Sequence, residues 1–187
     1  MGRHAAHNRI TEDFLMATAP VLLSIEEYLR TSYNPDADYV DGEIEERNLG
    51  EYEHAKLQTL IAVIFTNNER AWNTDAIVEQ RIRVSPKRVR VCDIAVLRAD
   101  TPREPVTMTP PLICIEVMSP EDRLSRAKLV LADYLAMGVE NLWLIDPMRR
   151  SAWTFDASGL HEADPTQLRV VGTEIHLDLT DAFARLD

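Results

Sequence analysis

Cysteine is scarce in this sequence, with two in 187 residues. Cys92 and Cys114 stand in segments that read as buried strands. Their spacing suits neither a zinc site nor a disulfide framework, which fits a reducing cytoplasm as the expected location. A long apolar run is also missing. The longest, around Leu57 to Phe65, is broken by Gln58 and Thr59 and is too short to cross a bilayer, so no membrane partner is expected. The chain does not open on a basic segment followed by an apolar one, so no secretory signal is expected. Cations are in deficit, with 20 Lys and Arg against 31 Asp and Glu and a formal net charge of −11. That excludes a wholly basic nucleic-acid coat, because neutralising a phosphate backbone needs clustered cations, but it leaves room for a local basic patch. Repeats and low-complexity segments are absent.

What remains is the balance of an ordinary globular chain, at a length that suits one hydrophobic core. Residues 1 to 20 are polar and read as a loose tail, leaving 21–187 as a single domain. Ser24 to Glu27 predicts a short capped helix. Tyr39-Val40, Asp41-Gly42 and Glu43 to Glu45 predict a strand, a tight turn and a second strand. Leu57, Leu60, Ile61, Ile64 and Phe65 recur at helical intervals within 51–72. Ile77 to Val84 and Val89 to Leu97 alternate as strands, and Ser85-Pro86-Lys87-Arg88 joins them as a hairpin.

After a proline-rich loop, Leu112 to Val117 reads as a central strand buried on both faces. Ser119-Pro120-Glu121-Asp122 predicts a helix start, with Ser119 as the cap, and Gly138 ends that helix. Leu142 to Ile145 is the next buried strand, so strand, helix and strand form a crossover with parallel pairing. Short strands at 152–155, 168–171 and 174–177 and a small terminal helix at 180–186 complete the reading. The expected fold class is α/β, a mixed sheet flanked by helices.

Charge is segregated along the chain. Between Glu12 and Glu53 there are 12 acids and two bases, whereas between Arg81 and Arg103 there are seven bases and two acids. Arg81, Arg83, Lys87, Arg88 and Arg90 are either a solvated outer face of the hairpin or a ribbon that holds nucleic-acid phosphates. Asp93 lies within one apolar strand and Glu116 near the end of another. A carboxylate in such a run is costly to desolvate unless it is paired or holds a cation. One of them could pair with Arg81 or Arg90. Two on neighbouring strands suit a hard divalent ion, Mg²⁺ or Mn²⁺, with oxygen ligands.

Several segments together resemble a known family. They are Asp41-Gly42-Glu43, His54, Cys92 to Val96, Ile115 to Pro120, Tyr134, Gly138-Val139 and Trp143 to Pro147. The pattern is similar to that of the Uma-two family of restriction-endonuclease-like proteins, within the PD-(D/E)XK nuclease superfamily, over about residues 21 to 185. The resemblance implies a restriction-endonuclease-like core with an N-terminal helix and hairpin. It implies Asp93, Glu116 and the carbonyl of Val117 as ligands of Mg²⁺ or Mn²⁺, with Glu43 and His54 at further recurrent positions. Glu43 is either a supplement to the metal shell or a surface acid; His54 is either a general base or a structural hydrogen-bond partner.

The chain departs from the pattern in three places. Cys92 replaces the usual proline, and Met118 stands where the superfamily has its lysine. Val130, four places before Tyr134, occupies the alternative lysine position. Lys128 is the nearest lysine, and Arg126 and Arg123 lie on the same helix.

The implied function is a metal-dependent DNA endonuclease, with Asp93, Glu116, Lys128, Glu43 and His54 at the reaction and a homodimer as the acting species. The alternative is an inactive nuclease-fold module that binds nucleic acid or a protein partner. A third reading is a hydrolase for a small phosphorylated ligand.

Overall fold

The computed structural model describes residues 22–47 and 51–187; the expected tail falls outside them. In chain order the elements are α1 (Ile25–Arg30), β1 (Asp38–Val40), β2 (Glu43–Glu45), α2 (Tyr52–Trp72), β3 (Thr74–Ser85), β4 (Arg88–Arg98) and β5 (Ile113–Val117). They continue as α3 (Leu124–Met137), β6 (Asn141–Asp146), β7 (Ser151–Asp156), β8 (Gly159–Ala163), β9 (Leu168–Arg169), β10 (His176–Leu177) and α4 (Thr180–Ala184).

Eight strands form one mixed sheet in the order β2-β1-β4-β5-β6-β7-β8, with β3 paired to β4. The crossover through α3 makes β5 and β6 parallel, as the sequence predicts, while the other pairings are antiparallel. Helices cover both faces. One core cluster joins α2 residues such as Leu57, Ile61 and Phe65 to Ile94, Ile113 and Trp143. The other joins Leu131 and Tyr134 of α3 to Cys114, Leu142 and Leu144.

The N-terminal signals act as expected. The Ser24 hydroxyl accepts the Glu27 N–H and starts α1. Asp41 (φ 51°) and Gly42 (φ 104°) make the tight turn between β1 and β2, where left-handed backbone matches strand twist. A Cβ on Gly42 would stand 2.9 Å from the Cβ of Leu22, so the position demands glycine twice over.

Two expectations need correction. Ser119 does not cap α3: its N–H donates to the Asp122 carboxylate (2.6 Å), the Asp122 N–H returns to the Ser119 carbonyl (2.9 Å), and the helix starts only at Leu124. The cap-like residues close a turn instead, because the Asp122 carboxylate and N–H both bind back to the Ser119 main chain and use the groups a cap would leave to the helix. Strand β8 forms where the sequence predicts none, because its half-exposed edge position carries no apolar alternation.

The sheet forks at β4. β3 occupies one edge of β4 along almost its whole length. The other edge is shared: β1 pairs with Arg88 and Val89, and β5 pairs with 94–96. Residues 90–93 lie between these partners. Carboxylates satisfy main-chain donors there, the Val91 N–H donating to Asp38 (2.8 Å) and the Val117 N–H to Asp93 (2.7 Å).

Candidate active site

A cleft of about 70 Å³ opens at this fork. Asp93 and Glu116 enter it from β4 and β5, His54 from α2, and Arg126, Ala127 and Val130 from α3. Arg47, just past β2, closes one side.

Asp93 is 1% exposed and fully engaged. Its Oδ1 accepts from Nη2 of Arg47, and its Oδ2 accepts the Val117 N–H and lies 3.3 Å from His54 Nε2. Burial works to raise its pKa. The His54 hydrogen bond, the Arg47 and His54 charges and the Val117 N–H outweigh it, so the carboxyl lies below its ordinary range. His54 shows the mirror image: burial disfavours its charge, yet the bond to Asp93 raises it above an ordinary histidine.

Glu116 is different. Burial and then the charge of Asp93 push it well above the glutamate range, which Arg47 and Tyr134 only partly offset. Its Oε1 accepts the Tyr134 hydroxyl at 2.8 Å, and its Oε2 takes no hydrogen bond from a described residue. Burial also pushes the Tyr134 phenol up, so it stays a donor.

The second guanidinium nitrogen of Arg47, Nη1, binds Glu79. Burial works against its charge, but Asp93, Glu116 and Glu79 together raise its pKa, so it stays a cation. Glu79 occupies the register position between Val78–Ile94 and Gln80–Cys92, across from Asp93, and its φ of 51° breaks the β3 conformation. Gln58 of α2 steadies the pair, donating to Glu79 Oε1 (2.7 Å) and to the Asp93 carbonyl (3.0 Å).

Of the residues expected at the site, Asp93, Glu116, Val117 and His54 meet in the cleft. Lys128 and Glu43 do not; both are exposed and neither lines it. Lys128 is two residues from Val130, about 200° around the helix, so it cannot share the cleft-facing side. Glu43 sits on the outer strand of the sheet, beyond β1. Arg126 is the α3 cation in the cleft, and its guanidinium also donates to the Glu46 carbonyl (2.6 Å). Arg47 and Glu79 carry no signal in the sequence, where nothing marks an arginine after a strand or a glutamate in a strand.

The basic hairpin is largely neutralised from within. Arg90 is 3% exposed and binds Asp38, Glu45 and Asp133, so it is an internal ion hub and not a phosphate contact. Arg81 pairs with Asp36 and lies over the Tyr28 ring, and Arg88 pairs with Asp41 and Asp133. Arg83 reaches the Pro86 carbonyl, and Lys87 is exposed at the hairpin tip.

The donor chemistry of the cleft suits a hard divalent ion in one respect: two carboxylates from adjacent strands line it together. Among the described residues no cluster of three or more His, Cys, Asp or Glu is arranged to hold a metal.

Comparison with known proteins bears on the family and the fold. The Uma2 family, described as "Putative restriction endonuclease", matches residues 25–183. No curated protein matches the chain. Among solved structures, one titled a putative nuclease belonging to DUF820, from Anabaena variabilis, superposes with a TM-score of 0.77 at 22% identity. The match covers 88% of this chain and 99% of that one, which establishes a shared fold. With the family pattern spanning nearly every described element, the chain belongs to the Uma2 family.

Proposed function

We propose that this protein is a divalent-metal-dependent endonuclease acting on DNA, with Asp93, Glu116 and the carbonyl of Val117 holding Mg²⁺ or Mn²⁺. One observation carries the reading: carboxylates on different strands converge in a single cleft, and the second of them forms no ion pair with a described residue. A divalent ion bound there would polarise a phosphoryl oxygen and acidify a bound water. Asp93 brings a permanent charge. Glu116, whose carboxyl burial and the Asp93 charge push upward, would act as a ligand in its ionised form, and the Tyr134 hydroxyl fixes its orientation. His54 orients Asp93 through Oδ2. Arg126, which lines the cleft, would supply the cation that meets a phosphate. Cutting both strands of a duplex calls for two such sites, hence a two-fold dimer, which sedimentation would detect.

The test is cleavage of plasmid DNA with Mg²⁺ or Mn²⁺. Activity abolished in Asp93→Ala and Glu116→Ala supports the reading, and wild-type activity in both overturns it.

A second reading is favoured by Met118, buried at the cleft where the superfamily has lysine. It is a nuclease-fold module that binds nucleic acid or a protein without cutting. DNA retention without cleavage at millimolar Mn²⁺ would select it.

A further inference from the structure

Resting on the metal-site reading above, we infer that Arg47 is a resident cation that a divalent ion must displace, so that this arginine sets the metal affinity of the cleft. Both Asp93 oxygens are occupied. On Oδ2 the Val117 N–H is main chain, and it satisfies a donor at the sheet fork; giving it up would leave a buried N–H unpaired. On Oδ1 the partner is a side chain, which can leave.

Arg47 also has somewhere to stay. Its Nη1 remains on Glu79, which Gln58 holds from α2 at 2.7 Å. Glu79 is half-exposed, its side chain 44% accessible, so it suits a parked guanidinium better than a desolvated ligand role. The left-handed backbone at Glu79 belongs to this arrangement, since it interrupts the ladder directly across from Asp93. A guanidinium does not deprotonate at any ordinary pH, so alkali cannot clear Asp93, whereas a competing cation or the loss of Arg47 can.

Direct competition differs from a general repulsion between Arg47 and the metal. A lysine keeps the charge but lacks the planar fork that spans Asp93 and Glu79 together. Arg47→Lys therefore weakens the occupant without removing its charge.

The experiment is Mn²⁺ titration of the full chain, followed by the electron paramagnetic resonance signal of free Mn²⁺, in wild type, Arg47→Lys, Arg47→Gln and Asp93→Asn. Thermal melts confirm that each variant is folded, and Arg47→Lys alone suffices if Arg47→Gln is not. The expected result is tighter Mn²⁺ binding in Arg47→Lys and about tenfold tighter binding in Arg47→Gln, with loss in Asp93→Asn. Unchanged or weaker binding in the folded Arg47 variants, with Asp93→Asn still abolishing it, overturns the inference and leaves the metal site standing. No Mn²⁺ binding by wild type or any Arg47 variant overturns both.

Discussion

Glu79 faces Asp93 across the β3–β4 ladder in a left-handed conformation, and Arg47 bridges the two carboxylates. The consequence reaches beyond the site. Ala76, Ile94 and Val96 pack on the α2 face, whereas Ile82, Val84 and Cys92, at positions of the same parity, pack on the α3 face. Regular alternation cannot give that pattern, so both strands change face where Glu79 meets Asp93. One interrupted register position thus turns the strands over and opens the space where Asp93 is reached.

Asp93→Asn tests how far the fold depends on this carboxylate. It removes the charge that Arg47 and His54 converge on and leaves a buried guanidinium with one anion fewer. The expected loss is about 3 kcal/mol of unfolding free energy, read from urea denaturation.

Glu116→Gln should act in the opposite direction at neutral pH. The folded carboxyl is held above its unfolded pKa, by burial first and by Asp93 next. Its favourable contribution is therefore complete below the unfolded pKa and lost as pH rises through the folded one. Glutamine can still accept from Tyr134 and never ionises. Melting curves should show a gain of about 3 °C near pH 8 and no gain near about pH 3.

The hairpin cations should divide into two kinds. Arg90→Ala strands Asp38 and Asp133 around an empty hub and should cost about 4 kcal/mol by chemical denaturation. Lys87→Ala should change stability by less than about 0.5 kcal/mol. If the hairpin tip touches DNA, Lys87→Ala should instead flatten the salt dependence of binding, with a change in slope of about one.

Gly42→Ala should destabilise the β1–β2 turn by about 2 kcal/mol, because alanine both resists φ 104° and meets Leu22. Thermal unfolding measures this, and a variant as stable as wild type would refute the steric account.

Local chemistry made much of the fold legible. The Ser24 cap, the Asp41-Gly42 turn, the helical period from Leu57 to Phe65 and the apolar run before Glu116 are each written in neighbouring residues, and each element formed where expected. Ser119 is ambiguous in the sequence because capping residues and turn residues satisfy the same kinds of N–H group, and here the Asp122 carboxylate takes the Ser119 N–H and closes a turn.

By itself the sequence determined most of the element types, the parallel crossover and the pair of carboxylates, because periodicity, caps and the cost of a buried charge act over a few residues. The tertiary structure alone decided which charges meet. The acidic N-terminal stretch neutralises the basic hairpin, Lys128 turns outward while Arg126 turns in, and Arg47 lands on Asp93 across 46 positions of chain. Such pairings depend on how strands and helices stack in space, and Coulomb attraction leaves no trace of its partner in linear order.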